Sequence, residues 1–197
     1  MIPAIYDRRS IRRFLDAPIS REDIAEVIQS GMRAPSAKNR QPWRFIVVQG
    51  REKEEMLDAF RRGIRREKDG EAFLPRSREH IAGAEHTAEV MAEAPVILLV
   101  IDALGKSILA GQTPEERVSE ICDVQSIGAA IQNMLLTAED KGIGSLWICD
   151  IFFAYPELSR WLDREGGLVA AVALGLPNEA PGARPRRSFQ EIVEWRG

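Results

Sequence analysis

The chain is poor in the residue types that most often carry protein-borne chemistry. Its 197 residues include two cysteines, Cys122 and Cys149, which lie far apart and form no C-x-x-C. That excludes a disulfide framework and a thiol redox pair, and makes a reducing cytoplasm the expected compartment. Cys149 reads as a small buried hydrophobe. The two histidines, His80 and His86, are not spaced to share a helix face as a metal pair at i, i+4 requires, so no metal is expected. Neither histidine accompanies a recognisable Ser or Cys nucleophile, which leaves a hydrolase triad unsupported. A formal net charge of −3 offers no overall basicity to attract nucleic acid. The longest apolar runs, 94–101 and 167–176, are too short to span a membrane, and residues 1–7 lack the basic start and apolar core of a signal peptide. No Gly-x-Gly-x-x-Gly is read after a strand and no Gly-Lys-Ser/Thr loop is expected, so dinucleotide and P-loop sites are unsupported. Carboxylates abound, but mostly in charged helical stretches, and no acid–base pair stands out. A chain without an evident catalyst of its own suits an enzyme whose chemistry belongs to a cofactor.

The periodicity predicts interspersed helices and strands without a regular βα alternation. Ser20 reads as an N-cap, with Glu22 and Asp23 in the first turn and Gly31 as the stop. Trp43 to Val48 reads as a strand, Arg51 to Asp69 as a charged, solvated helix, and about Glu79 to Glu93 as a further helix before a buried strand, Val96 to Ile101. Thr113-Pro114 opens a long helix that runs to Lys141, with Gly142 as its stop. Its second half, Ile127 to Ala138, is apolar almost all round and demands cover on several sides. Strand Ile143 to Cys149, helix Pro156 to Leu162 and strand Leu168 to Leu174 follow, making four strands in all. The tail from 176 is rich in Pro, Gly and Arg and ends in a capping box, Ser188 to Glu191. The expectation is one domain over 1–197, with 176–197 as a C-terminal arm.

Three segments carry candidate chemistry. Arg8, Arg9, Arg12 and Arg13 cluster at one end, around Ser10, and Arg184, Arg186 and Arg187 cluster at the other. Either cluster alone reads as a solvated face. Brought to one pocket, they would clamp a phosphate, because arginine's planar fork matches phosphate oxygens. The loop Ala34 to Trp43 holds two prolines that restrict the backbone, together with the hydrogen-bonding side chains of Ser36, Asn39 and Gln41. A turn would explain part of this, and a grip on a flat, heteroatom-rich ligand would explain all of it. Trp43 reads as a core residue opening the strand. The third segment is Gly142-Ile143-Gly144-Ser145-Leu146-Trp147, a tight turn into a strand.

Basic-Ser-basic start, Pro-Ser-x-x-Asn-x-Gln-Pro-Trp loop, long apolar helix, Gly-Ser-Leu-Trp strand and basic tail together resemble the nitroreductase family of FMN-dependent oxidoreductases. The resemblance implies an α+β sandwich, with a mostly antiparallel sheet flanked by helices, and an intimate homodimer with FMN at the interface. It implies that Arg8, Arg9, Ser10 and Arg12 bind FMN together with Arg186 and Arg187. Pro35, Ser36, Ala37, Asn39 and Gln41 would lie at the flavin, in this family usually the partner's. Ser145, Leu146 and Trp147 would pass the ring edge with their backbone. The implied reaction moves a hydride from NADH or NADPH through flavin N5 to a flat oxidised acceptor (nitroaromatic, quinone, enone or flavin) by a ping-pong mechanism. The alternatives are a relative that modifies its flavin or dehalogenates a substrate, with specificity varying over 105–120, and a non-enzymatic flavin-binding protein. No protein side chain is singled out as catalytic.

Overall fold

In the computed structural model, which describes residues 2–197, four strands form one sheet: β1 (Trp43–Val48), β2 (Val96–Asp102), β3 (Gly144–Ile148) and β4 (Gly167–Gly175). Their order is β1-β2-β4-β3 and every pairing is antiparallel. Seven helices surround them: α1 (Pro3–Asp7), α2 (Arg21–Gly31), α3 (Gly50–Asp69), α4 (Ile81–Glu93), α5 (Pro114–Asp140), α6 (Tyr155–Leu162) and α7 (Phe189–Ile192). This is the anticipated α+β arrangement.

Every residue of β2 is buried, because helices cover both faces of the sheet. Successive side chains on a strand point to opposite faces. Ile97, Leu99 and Ile101 therefore join one core with Met56 and Phe60 of α3, Met91 of α4 and Leu158 of α6. Val96, Leu98 and Val100 join a second core with Val27 of α2 and Ile127, Ile131 and Met134 of α5. Trp43 packs in that second core and opens β1, as its sequence context suggested.

The caps match the sequence. Ser20 Oγ accepts from Asp23 N at 3.0 Å, and capping boxes close on Thr113 with Glu116 and on Ser188 with Glu191. Gly31 plays a different part from the one expected. It is the last residue of α2 rather than a left-handed stop, and a Cβ there would sit 2.7 Å from Met134 Cγ, so it lets α2 lie close against α5.

Two readings need correction. The helix expected to be solvated, α3, buries Met56, Leu57, Ala59, Phe60 and Ile64. Its charges are partly internal as well. Lys53 Nζ donates to Ala92 O and Ala94 O at 2.8 Å each, satisfying carbonyls at the end of α4. Arg66 Nε donates to Glu157 Oε1 at 2.8 Å, and Glu67 accepts from the N–H of Phe73 and Leu74. The second correction concerns α5. The sheet and α2 bury Ile127, Ala130, Ile131, Met134, Leu135 and Ala138, so this chain covers most of the all-round apolar half itself. The uncovered stripe lies earlier, at Val118, Ile121 and Val124, which are 62%, 47% and 41% exposed.

Candidate functional site

The site begins at a seam that joins the two chain ends. Ser10 bridges Ser145 at the free edge of β3, and Ile11 N donates to Ser145 O at 3.0 Å. Further along, Leu15 N donates to Leu176 O at 2.9 Å and Asn178 N to Arg13 O at 2.9 Å, so residues 13–15 run beside the exit of β4. The Glu179 carboxylate accepts from both Arg12 N and Arg13 N. The approach is close enough to require glycine: a Cβ on Gly175 would lie 2.6 Å from Phe14 Cδ1.

From this seam the N-terminal residues and the tail diverge around one cavity of about 580 Å³. Arg8, Arg9, Ser10 and Arg12 line it from one side, and Arg184 and Arg186 from the other. None of these five arginines forms an ion pair among the described residues. Cationic side chains gathered without a carboxylate repel one another, and a bound anion relieves that repulsion. Their local roles differ. Arg9 Nη1 converges on the carbonyls of Tyr6, Asp7 and Arg8 at 2.7–3.0 Å and so closes the end of α1. Arg12 Nη1 donates to Ser10 O at 3.3 Å. Arg187 is exposed and does not line the cavity, and Arg13 lies 3.7 Å from Glu93. Sequence reasoning missed Ile5 and Tyr6 of α1, which line the cavity too. Pro3 near the first turn was the available signal, since proline suits the first helical position.

The loop before β1 is held in an unusual shape. Lys38, Asn39 and Gln41 have φ of 53°, 54° and 49°. Such angles are uncommon outside glycine, and each costs on the order of 1–2 kcal/mol. Hydrogen bonds hold the strain in place: Ser36 Oγ accepts from Gln41 N at 3.0 Å, Ser126 Oγ of α5 accepts from Ala37 N at 3.2 Å, and Pro42 O accepts from Ala103 N at 2.7 Å. Pro35, Asn39 and Gln41 are exposed, while Ser36 and Ala37 are half-buried. None of 35–41 lines the basic cavity of the same chain.

At β3, Ser145 is buried and Leu146 packs into the first core, so neither side chain is free for a ligand. Trp147 is partly exposed beside Gly128 of α5. Because Ser145 O faces the open edge, the residue two along faces it too, which aims Trp147 N–H outward beyond the seam. Cys149 is a correction. It lies just past the end of β3 and is exposed, not buried. Enough atoms still surround its sulfur to push the thiol above its ordinary value, and the Asp150 charge adds to that. A further correction is the triplet Gly105-Lys106-Ser107, where no Gly-Lys-Ser/Thr loop was expected; it is still not a P-loop, because Val100 stands where the first glycine is needed and no helix starts there.

A sheet between two helical layers, with a basic cavity where the chain ends meet, defines an α+β protein with a site whose charge suits an anionic ligand. The chain belongs to the nitroreductase family, whose sequence model matches residues 5–176. It is 36% identical over 145 residues to an Archaeoglobus fulgidus protein provisionally named NADH dehydrogenase/NAD(P)H nitroreductase. That match covers 73% of this chain and 64% of the relative's length. It is 30% identical to the 5,6-dimethylbenzimidazole synthase of Rhodospirillum rubrum, over 87% of this chain and 79% of that protein. A Desulfovibrio desulfuricans structure described as a nitroreductase with FMN superposes with a TM-score of 0.73 at 28% identity, covering 99% of this chain and 95% of that one.

Proposed function

We propose that residues 1–197 form one FMN-binding domain, with 176–197 as an arm, that works as an NAD(P)H-dependent oxidoreductase. The observation that carries this reading is the cavity that gathers Arg8, Arg9, Arg12, Arg184 and Arg186 around Ser10 with no carboxylate partner. Such a donor set fits a terminal phosphomonoester. When bound, FMN supplies the redox chemistry: it takes a hydride from NADH or NADPH and passes the electrons to a flat oxidised acceptor.

The chain's own residues bind and orient. Arg8, Arg12, Arg184 and Arg186 hold the phosphate, and the Ser10 hydroxyl adds a neutral donor. Arg9 serves chiefly by closing α1 against the cavity. Trp147 N–H is fixed in a strand, uncharged and aimed at an open edge. A donor of that kind meets growing negative charge without having to reorient. The exposed amides of Asn39 and Gln41 sit on a loop already strained into shape, and we assign them to the flavin of a second copy. Two substrates using one open site in turn gives ping-pong kinetics.

We also propose a cytoplasmic homodimer. The stripe Val118, Ile121 and Val124, the exposed Ile5 and Tyr6 of α1, and Phe189, Ile192 and Trp195 of the arm leave much apolar surface uncovered. Obligate interfaces commonly bury more than ~2,000 Å². No helix among the described residues is long and apolar enough to cross a membrane.

The test is direct. Purified protein loaded with FMN should bleach anaerobically with NADH or NADPH, recover with a quinone and repeat the cycle. Flavin that binds but does not bleach would make this a binding protein. The resemblance to the R. rubrum synthase favours one second reading, a flavin-modifying activity. It would show as consumption of FMN with a new aromatic product instead of repeated turnover.

A further inference from the structure

Glu179 is the last residue that ties the tail to the rest of the chain. Its Oε1 accepts from the successive backbone N–H groups of Arg12 and Arg13, the latter at 3.2 Å. Beyond it, the hydrogen bonds and ion pairs of the tail among the described residues stay within the tail. They join Ser188 to Glu191, Phe189 to Val193 and Glu194 to Arg196. Yet Arg184 and Arg186, which follow Glu179, line the basic cavity together with Arg8 and Arg12. What sets the tail arginines there is the seam that Glu179 ends.

A half-buried carboxylate next to Arg12 and Arg13 could pair with either guanidinium. Glu179 instead directs one oxygen at two main-chain donors, an arrangement that suits an anion. Successive N–H groups on a regular strand point to opposite sides, and residues 11–13 belong to no strand, which lets the two converge. The Arg12 guanidinium is left to Ser10 O, at 3.3 Å, and to the cavity. Two other bonds lead up to Glu179, Leu15 N to Leu176 O and Asn178 N to Arg13 O, both at 2.9 Å. From Glu179 to Arg184 the chain spans at most about 17 Å, and Pro181 restricts its backbone on the way. A pin at Glu179 therefore limits where Arg184 and Arg186 can go.

We propose that Glu179 is a positioning residue that latches the tail to the N-terminal segment and so fixes Arg184 and Arg186 across the cavity from Arg8 and Arg12. Its effect on FMN rests on the flavin reading of that cavity, whereas the latch does not. The sign of that effect separates a latch from plain electrostatics. A carboxylate near a phosphate repels it, so Glu179 acting through its charge alone would oppose FMN, and its removal would tighten binding. A latch gives the reverse.

The experiment measures FMN affinity by fluorescence titration of the deflavinated full chain. Glu179→Ala should weaken FMN roughly tenfold or more, as the loss of a hydrogen bond to a charged group implies. Glu179→Gln removes the charge but keeps an acceptor oxygen for the two N–H groups, and its affinity should lie closer to wild type. With Arg184 and Arg186 both replaced by alanine, Glu179→Ala should change affinity by less than about twofold, the scatter of independent sites. Tighter binding in Glu179→Ala, or an equal loss with and without the tail arginines, overturns the proposal. In parallel, amide hydrogen exchange of the apoprotein is read by mass spectrometry. Peptides covering 12–15 and 176–179 should exchange faster in Glu179→Ala, while β2 stays as protected as in wild type. Unchanged exchange at 12–15, or an equal acceleration in β2, overturns the latch. If wild type binds no FMN, the flavin reading fails, and the exchange measurement still decides the latch.

Discussion

Removing Arg8 or Arg186 tests whether both chain ends hold one phosphate. Each lines the cavity from a different end of the sequence, and neither makes an ion pair among the described residues. Truncation to alanine therefore leaves no buried carboxylate behind, and the loss reports on ligand contacts alone. A hydrogen bond to a charged group contributes about 1.5–3 kcal/mol. Arg8→Ala and Arg186→Ala should each weaken FMN by roughly 10- to 150-fold. Two arginines on one phosphate also couple, so the double variant should depart from the sum of the singles. Arg9→Ala should behave differently, because its guanidinium closes α1 through three carbonyls and its loss loosens the cavity wall as well. Arg65→Ala, on the exposed side of α3, is the control and should leave affinity unchanged. The assay is fluorescence titration of deflavinated protein with FMN at fixed ionic strength. The clamp is refuted if neither Arg8 nor any tail arginine matters, or if Arg65 matters as much as they do.

Other consequences can be checked separately. FMN at about 100 times its Kd should stabilise the apoprotein by about 2.7 kcal/mol, a rise of roughly 5–10 °C for a chain of this size, and a flat melting curve series would count against the cavity as its site. Gly63→Ala should destabilise by about 1–3 kcal/mol or more in urea unfolding, since its Cβ would lie 2.3 Å from Ala154 Cβ where α3 meets the segment before α6. Arg66→Ala should lose about 3–5 kcal/mol, because it strands the buried Glu67 and the nearly buried Glu157. Although burial opposes ionisation of Glu157, Arg66 holds its carboxyl below the ordinary value. That pair's contribution, present above an unfolded value of about 4.3, should vanish as pH falls through the native one, so stability should fall less steeply with acid in Arg66→Ala than in the wild type. Light scattering at micromolar protein should give twice the chain mass of 22.1 kDa, and a flavin-loaded monomer would contradict the dimer.

The parts of this fold that were legible in the sequence are those decided within a few residues. Thr113-Pro114-Glu115-Glu116 specifies a helix start through its own side chains, and the structure closes that capping box. Trp43 to Val48 is β-branched and aromatic enough to be a strand whatever surrounds it. The misreadings share another cause. Charge dominates α3 in composition, yet Met56, Leu57, Phe60 and Ile64 recur on one helical face, and that period, not the composition, places them in the core. Cys149 follows an apolar strand, but β3 ends at Ile148 and the chain turns outward there.

The cavity illustrates why an arginine cluster is ambiguous in a sequence and informative in a fold. Arg8 and Arg186 are nearly the full chain apart, so their meeting depends on every element between them. It depends most on β3 being an edge strand, because only an edge can accept Ser10 and Ile11 as an added partner. Once those residues are zipped to β3, the bonds of Arg13 and Leu15 to the segment after β4 bring the tail to the same place. The ends themselves have little holding them: α1 and α7 bury no residue, and the tail past Asn178 is mostly exposed. A multivalent anion between them would replace arginine–arginine repulsion with attraction at the position where the chain contributes fewest contacts of its own. If the cavity holds the phosphate as proposed, ligand binding and the ordering of both ends would be one process, with the arginines serving the stability of the fold through the ligand rather than through each other.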